Sequence, residues 1–558
     1  MRRRDFLINS STALTGLVVA NNALYSQIIS NSEKKNMETP MKTLLLTNMR
    51  ALTAAYPQEV SGIQQAIAAF ARVHNAGVLD IDQAYLMKTG EHISVPAYPN
   101  ARLTAIAKEI KNEITSRTSG QLDLLILVGD ESVIPMWEVN LDGAPVHTDS
   151  FYMDLDGDGL PEVATTRILG NPEAMQRQLG ETTESGGPEA TILCSEDTRI
   201  HLETQRFLDA LAQQGHEVAV LGRGGAERLP QSDLIIHFGH GSPKRLSNRF
   251  GESFVSAKSM PMLPRHPIAI VDGCATTPPG SALLRAFLNN GGRAYLGSTA
   301  TVWGMIPARY TNQLVMHFLD AYEAHPEWTL AKLLTVARAR YAGVARLPEI
   351  LLELERTETI NVDGDMGTHL MTFLEWHAYG TPFARLHQGD AQSVFAKHSL
   401  VETPISLKAK EGSAVEATFN LADGDGQPIL FLRADWLNSI SSSLMLRIHQ
   451  NGEILHELKG DEHIIYQHLE DICVGGYVNG DMYHAYWLLP LQKEEGQNQV
   501  GIQVRDTAKL GPLANLIRVR QNQVRDGQVN PEMELRILPE STIEIWPEWE
   551  TIGPPEEE

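Results

Sequence analysis

The most restrictive feature of this chain is the alternation, from Lys42 onward, of short apolar runs with amphipathic segments. Leu122–Val128 (LDLLILV) is a continuous apolar run ended by Gly-Asp, which is typical of a buried strand. In Ile63–Val73 the apolar residues are spaced by three and four, as on one face of a helix. The same reasoning predicts strands at Thr43–Thr47, Ala190–Cys194, Leu234–Phe238, Ile268–Val271 and Ala294–Gly297, and helices at Ala101–Thr115, Leu202–Gln213 and Ser281–Leu288. Strands that alternate with helices predict an α/β fold with a mainly parallel sheet flanked by helices.

The pattern changes near residue 395. Helical periodicity becomes rare between residues 412 and 540, and short alternating runs separated by Gly and Asp replace it. These runs are Ala414–Leu421, Ile429–Ala434, Ser443–Ile448, Val500–Val504 and Glu534–Leu538. They predict a C-terminal antiparallel β-sandwich.

A chain of 558 residues is long enough for two or three domains. We divide it into an export signal (1–30), a polar linker (31–41), the α/β domain (42–395), the β-sandwich (400–540) and a disordered acidic tail (541–558).

The N-terminus resembles a twin-arginine export signal. Arg3-Arg4 precede Asp5-Phe6-Leu7, and a short, mildly apolar stretch follows at Ser11–Ala20. That stretch is too short to span a bilayer as a helix. We therefore expect a periplasmic or extracellular protein without stable membrane insertion; the alternative is a basic, disordered N-terminus.

Charge and cysteine content exclude several classes of protein. With 46 Lys and Arg against 69 Asp and Glu, the net charge of −23 argues against nucleic-acid partners. The three cysteines, Cys194, Cys274 and Cys473, form no CxxC motif, so neither a zinc cluster nor a disulfide scaffold is indicated. Their odd number leaves at least one thiol outside an intramolecular disulfide.

Reactive side chains follow two of the predicted strands. His240 stands in Gly-His-Gly-Ser after LIIHF, and Cys274 ends the Asp-Gly-Cys that follows IAIV. Carboxyl ends of parallel strands are where ligands bind in such sheets, and a thiol beside an imidazole is a good nucleophile. Either residue alone would more simply be a hydrogen-bonded loop histidine or a small core cysteine; the pair, each flanked by glycine, favours catalysis. His237 and His240 together could ligate a metal, but no further ligand stands near them, so we assign His237 a structural role.

An acidic segment at residues 154–162 (DLDGDGLPE) stands apart from these motifs. Its carboxylates predict a calcium site, because calcium prefers hard oxygen ligands on a tight, glycine-rich turn. The alternative is a solvated acidic turn. The predicted ligands are Asp154, Asp156, Asp158 and Glu162.

Six segments, in this order, resemble the gingipain family of caspase-like cysteine peptidases. They are Leu125–Pro135 (LILVGDESVIP), Asp149–Arg167, Phe238–Ser242 (FGHGS), Pro267–Cys274 (PIAIVDGC), Gly297–Trp303 (GSTATVW) and Tyr379–Leu386 (YGTPFARL). The resemblance implies a caspase-like fold over roughly residues 42–390. Gly273 and Thr166 stand where the family has Ala and Gly.

The resemblance also implies roles for particular residues. His240 would be the general base and Cys274 the nucleophile, with the backbone N–H groups of Gly241 and Cys274 holding the oxyanion. Either Glu196 or Asp197 would orient the histidine or line the pocket for the residue before the cleaved bond. Trp303 would form a wall of that pocket.

The sequence therefore predicts a cysteine endopeptidase that acts on protein or peptide substrates through an acyl-enzyme, with no cofactor for catalysis. The main alternative is a non-catalytic caspase-like scaffold whose β-sandwich binds a partner or a carbohydrate. A serine hydrolase is disfavoured because no G-x-S-x-G motif occurs.

Overall fold

The computed structural model describes residues 42–546 with internal gaps. The undescribed segments are 1–41, 94–99, 119–120, 142–143, 182–185, 195–206, 209, 222–224, 249–250, 306–308, 358–359, 361, 363, 390–396, 409–413, 423–426, 438–443, 460–467, 470–471, 480–481, 507–523, 526–527, 530–533, 540 and 547–558. The predicted export signal and linker lie outside the described residues.

The first part of the chain alternates strands with helices, as predicted. Its strands are β1 (Thr43–Thr47), β2 (Gly77–Asp80), β3 (Leu124–Val128), β4 (Trp137–Leu141), β5 (Ala144–Thr148), β6 (Ala164–Ile168), β7 (Glu189–Cys194), β8 (Glu217–Leu221), β9 (Leu234–Phe238), β10 (His240–Ser242), β11 (Arg245–Ser247), β12 (Ser253–Ser256), β13 (Ile268–Asp272), β14 (Ala294–Ser298), β15 (Gly304–Met305), β16 (Arg309–Tyr310) and β17 (Trp376–Gly380). Its helices are α1 (Met49–Ala55), α2 (Val60–His74), α3 (Ile81–Thr89), α4 (Asn100–Thr118), α5 (Pro172–Gly180), α6 (Ala282–Asn289), α7 (Thr311–Ala324), α8 (Leu330–Val344), α9 (Pro348–Thr357) and α10 (Gly364–Glu375).

Ten of these strands form one sheet, in the order β2-β1-β3-β6-β17-β14-β13-β9-β7-β8. All the pairs are parallel except β14–β17, which is antiparallel. The sheet thus consists of two parallel halves that run in opposite directions and meet at β14–β17. The sequence predicted the mainly parallel sheet correctly but not this reversal, which puts the carboxyl ends of β3 and β13 at opposite edges.

The central strands are buried on both faces. In β13, Ile268 and Ile270 belong to one hydrophobic cluster, and Ala269 and Val271 to another. Helices supply the cover on both sides, which explains the continuous apolar run that marks this strand in the sequence.

Helix α6 illustrates how the local sequence sets an element. The Ser281 side chain caps the helix by accepting a hydrogen bond from the Leu284 N–H at 3.2 Å. Leu283, Leu284 and Phe287, at helical spacing, are buried against the sheet. The helix therefore starts directly behind the loop that carries Cys274.

The C-terminal part forms antiparallel sheets. Its strands are β18 (Lys397–Ser399), β19 (Ile405–Lys408), β20 (Ala414–Leu421), β21 (Gln427–Leu437), β22 (Leu444–Gln450), β23 (Glu453–Lys459), β24 (His468–Leu469), β25 (Ile472–Asn479), β26 (Met482–Pro490), β27 (Gly496–Asp506), β28 (Val524–Arg525), β29 (Gln528–Val529), β30 (Glu534–Ile537) and β31 (Thr542–Trp546). An eight-stranded and a four-stranded sheet contribute alternate residues to one shared cluster. The predicted antiparallel strands are therefore present, while their assembly as a sandwich stays a prediction.

The boundary of the predicted disordered tail is wrong. Residues 542–546 form β31, which pairs with β18 and β21. Ile543 and Ile545 alternate into the hydrophobic cluster, and this burial outweighs the polar composition of the segment. Residues 547–558 lie outside the described part.

Candidate active site

The register of two neighbouring strands brings His240 and Cys274 side by side. In the parallel pair β9–β13, His237 is opposite Val271 and Phe238 is opposite Asp272. His240 and Cys274 each follow two residues after that last pair, at the same edge of the sheet. Adjacent strands lie about 4.8 Å apart, so the two loops start within contact distance of each other.

Two glycines allow those loops to touch. A Cβ on Gly241 would lie 2.5 Å from Thr276 Cγ2 and 2.8 Å from the Gly273 carbonyl carbon. A Cβ on Gly273 would lie 3.2 Å from both the nitrogen and the Cα of Gly241. The main chain beside the histidine therefore packs directly on the main chain beside the cysteine, an approach that side chains at these positions would prevent.

The cysteine loop is held by main-chain hydrogen bonds. The Ala275 N–H donates to the Ala300 carbonyl at 2.6 Å, and the Thr277 N–H donates to the Ser298 carbonyl at 2.8 Å. Ala275 has a φ of 47°, a left-handed conformation that costs a non-glycine residue on the order of 1–3 kcal/mol. This strained turn presents a half-buried Cys274, whose Sγ lies 3.8 Å from the Val302 carbonyl oxygen.

His240 is exposed, and its main chain is held by a hydrogen bond from a buried histidine. Nε2 of the buried His237 is 3.2 Å from the His240 carbonyl oxygen. Since a carbonyl only accepts, Nε2 carries the hydrogen. Burial lowers the pKa of His237 to about 4, so its ring is neutral at physiological pH. This geometry supports the structural role expected for His237 and turns its Nε2 away from metal binding.

The other substrate-binding candidates divide between described and undescribed segments. Trp303 follows Val302, and its side chain is 52% exposed. An indole this exposed, next in the chain to the residue whose carbonyl faces Cys274 Sγ, offers an apolar surface to a ligand. Glu196 and Asp197 lie outside the described residues.

A buried carboxyl group that the sequence reasoning missed lies at the same edge. Glu375 is fully buried, and neither carboxylate oxygen has a hydrogen-bond partner among the described residues. Its carbonyl accepts from the Thr299 N–H at 2.9 Å, and the hydroxyl of the neighbouring Ser298 donates to the Ala300 carbonyl. Burial, and then the negative charge of Asp272, raise the pKa of Glu375 well above its usual value, which favours its protonated form. The only sequence signal for this residue was a single Glu before an apolar strand. The antiparallel β14–β17 pairing places Glu375 at this edge of the sheet.

Three of the four predicted calcium ligands converge. Asp154, Asp156 and Glu162 each offer a carboxylate oxygen, and these oxygens lie within 4.8 Å of one another. Asp158 is not part of this group, and its Oδ1 instead accepts from the Leu160 N–H at 2.8 Å. Glu162 Oε2 is buried and has no hydrogen-bond partner within the described part of the chain, and burial raises the pKa of this residue to about 7. An orphaned carboxylate oxygen beside two others fits a hard cation.

Within the described part of the chain, no helix is long and apolar enough to cross a membrane.

Among solved structures, the chain is similar to three proteases. The alignment with the crystal structure of the Arg-specific cysteine proteinase gingipain R covers 84% of this chain and 98% of that chain, with 13% sequence identity and a TM-score of 0.44. The alignment with a structure described as "Structure of Protease" covers 84% of this chain and 98% of that chain, with 14% sequence identity and a TM-score of 0.43. The alignment with the complex of the pro- and mature domains of RgpB from Porphyromonas gingivalis covers 81% of this chain and 94% of that chain, with 13% sequence identity and a TM-score of 0.42. No curated protein matches by sequence.

A family model gives the more specific comparison. Residues 45–188 match the model described as peptidase family C25. The matched segment begins within β1, contains β2 to β6 and the acidic loop, and ends before His240 and Cys274. The match supports a cysteine peptidase, and it confirms the resemblance to the gingipain family over residues 45–188.

Proposed function

We propose that this protein is a cysteine endopeptidase whose catalytic pair is His240 and Cys274. The observation that carries the proposal is the β9–β13 register, because His240 and Cys274 each follow the end of one of these two adjacent strands by two residues. The peptidase family match over residues 45–188 supports the same reaction class from an independent part of the chain.

The reaction would proceed in two steps. His240 takes the proton of the Cys274 thiol, and the sulfur attacks the carbonyl carbon of the scissile bond. The imidazolium then returns the proton to the leaving amine, which gives an acyl-enzyme and the first product. A water molecule that loses its proton to His240 hydrolyses the thioester and regenerates the thiol.

The oxyanion formed in each step needs donors in fixed positions. We assign these to the N–H groups of Gly241 and Cys274, because the contact between Gly241 and Gly273 fixes the main chain of both loops. Such donors act strongly because they do not reorganise during the reaction.

Protein or peptide substrates would bind across this edge of the sheet. The exposed indole of Trp303 offers a contact for the side chain that precedes the cleaved bond. We assign Glu196 or Asp197 to the orientation of His240 or to the same pocket.

The proposal is tested against the scaffold alternative by a peptidyl electrophile that alkylates thiols. The electrophile should label wild type at Cys274, and the labelled protein should no longer cleave a peptide library that unlabelled wild type cleaves. A folded protein that neither cleaves the library nor reacts with the electrophile would favour the non-catalytic scaffold.

We also propose a structural calcium ion and export. Asp154, Asp156 and Glu162 would hold the ion, with Asp158 outside the group, and the ion would relieve the orphaned Glu162 oxygen. The Arg3-Arg4 motif would direct the protein through the twin-arginine route to the periplasm or the exterior.

A further inference from the structure

The segment that carries Trp303 is attached to helix α10 at two places. At one of them, Thr299 donates its N–H to the Glu375 carbonyl at 2.9 Å, at the C-terminal end of the helix. At the other, the hydroxyl of Tyr310 donates to Oδ1 of Asp365, in the first turn of the helix. Because a helix rises 1.5 Å per residue, positions 365 and 375 lie about 15 Å apart. Trp303 therefore belongs to a segment that is held at both ends of α10.

Tyr310 has a main-chain conformation that few residues other than glycine adopt. Its φ is 57° and its ψ is −125°, and its side chain is buried. The centroid of its ring lies 4.8 Å from that of the buried His369, and His369 Nδ1 lies 2.7 Å from the Tyr341 hydroxyl in α8. A strained conformation of this kind persists only where the surrounding structure holds it. The contacts with α10 and α8 thus fix the position of Tyr310.

Tyr310 in turn is connected to Trp303 through the main chain. In the antiparallel pair β15–β16, Tyr310 is opposite the residue that follows Trp303. The Trp303 carbonyl accepts from the N–H of Thr311, the residue after Tyr310, at 3.0 Å. The residue before Trp303 is Val302, whose carbonyl oxygen faces Cys274 Sγ at 3.8 Å. The contacts of Tyr310 are therefore transmitted to the main chain beside the nucleophile.

We propose that Tyr310 is a positioning residue for substrate binding, which holds the Trp303 indole in place through its hydrogen bond to Asp365 and its packing on His369. This inference rests on the proposed peptidase function and adds a determinant of its substrate affinity. An indole that is fixed before the substrate arrives reduces the ordering cost of binding. Since Trp303 is assigned to the substrate side chain and not to the reacting atoms, the contribution of Tyr310 should appear in KM and not in kcat.

The first test compares the peptide kinetics of Tyr310→Phe with those of wild type. This change removes the hydroxyl and keeps the ring, so KM should rise roughly fivefold while kcat stays the same, as for the loss of one hydrogen bond that stabilises bound substrate and transition state equally. Asp365→Ala should have the same effect, whereas Asp365→Asn, whose amide oxygen still accepts, should retain a lower KM. Tyr56→Phe is the matched control, because it removes a hydroxyl that donates to Gly170 after β6, at the opposite edge of the sheet, and it should leave KM unchanged.

A double-mutant comparison tests whether Tyr310 acts through Trp303. In a Trp303→Ala protein there is no indole to position, so adding Tyr310→Phe should raise KM no further. Iodoacetamide, which needs only the thiol, should alkylate Cys274 at the same rate in wild type and in Tyr310→Phe.

Three outcomes would overturn the inference and leave the peptidase function intact. They are an equal KM in wild type and Tyr310→Phe, the same fivefold effect of Tyr310→Phe with and without the indole, and slower alkylation of Cys274 in Tyr310→Phe. A folded wild type that cleaves no peptide would instead refute the proposed function, and this inference with it.

Discussion

The imidazole of His237 holds the main chain of His240, because Nε2 of His237 donates to the His240 carbonyl at 3.2 Å. The buried ring thus positions the exposed one without touching substrate. His237→Leu removes this donor, and the loss of one hydrogen bond, about 1 kcal/mol, should reduce kcat roughly fivefold with little change in KM. His237→Gln, which can still donate, should retain more activity. Equal activity in wild type and His237→Leu would show that the bond does not position His240.

The same residue gives a pH dependence of stability. Burial lowers the pKa of His237 to about 4 in the folded state, against 6.5 for an ordinary histidine. The unfolded chain binds the extra proton, so this contribution is intact above pH 6.5 and is lost as the pH falls towards 4. As the pH falls through that window, wild type should therefore lose stability relative to His237→Gln, by up to about 1.4 kcal/mol per pH unit. Denaturant unfolding at several pH values measures it, and a constant difference would show that His237 is not buried and neutral.

Peptide cleavage should depend on Cys274 and His240. Cys274→Ala should abolish it, since a methyl group cannot attack a carbonyl, and His240→Ala should reduce kcat/KM at least about a hundredfold. Cys473→Ala is the matched control, because it deletes a single thiol in β25, in the C-terminal part of the chain, and it should change little. Cys194→Ala should also change little, although Cys194 ends β7 opposite Phe238 at the edge of the candidate site. Cleavage by a folded Cys274→Ala protein would end the peptidase assignment.

Glu375 should behave as a neutral acid. Because its pKa is raised above the ordinary value of 4.5, the folded protein keeps a proton that the unfolded chain releases. Its contribution to stability is therefore complete below pH 4.5 and declines as the pH rises, by up to about 1.4 kcal/mol per unit. Glu375→Gln should remove that decline and become relatively more stable towards alkaline pH, whereas the surface change Glu353→Gln should not. Parallel stability curves for wild type and Glu375→Gln would contradict a protonated Glu375.

Calcium should stabilise the α/β part of the chain. At free calcium about a hundredfold above its dissociation constant, binding to the native state alone adds roughly 2.7 kcal/mol. Asp156→Ala should lose the increase in melting temperature, whereas Asp158→Ala should keep it, because Asp158 is outside the converging group. No difference between calcium and chelator in wild type would exclude the site.

Export should require the arginine pair. Changing Arg3 and Arg4 together to Lys keeps the charge but removes the paired guanidinium groups of the twin-arginine motif. The variant should remain in the cytoplasm when cell fractions are compared, while a single change at Arg2 should leave export intact. Normal export of the double variant would remove the hypothesis.

The amino-acid sequence by itself determined the local features of this protein. The periodicity of Ile63–Val73 and the apolar run that contains Ile268 predicted their elements, because burial on one face or on both faces leaves a local pattern. The glycine-flanked positions of His240 and Cys274 at strand ends could be predicted for the same reason.

Only the tertiary structure decided which of these elements meet. The adjacency of β9 and β13, the reversal at β14–β17 and the burial of Glu375 depend on pairing between residues far apart in the chain. Such pairing is set by the packing of the whole core, and no short window of sequence records it.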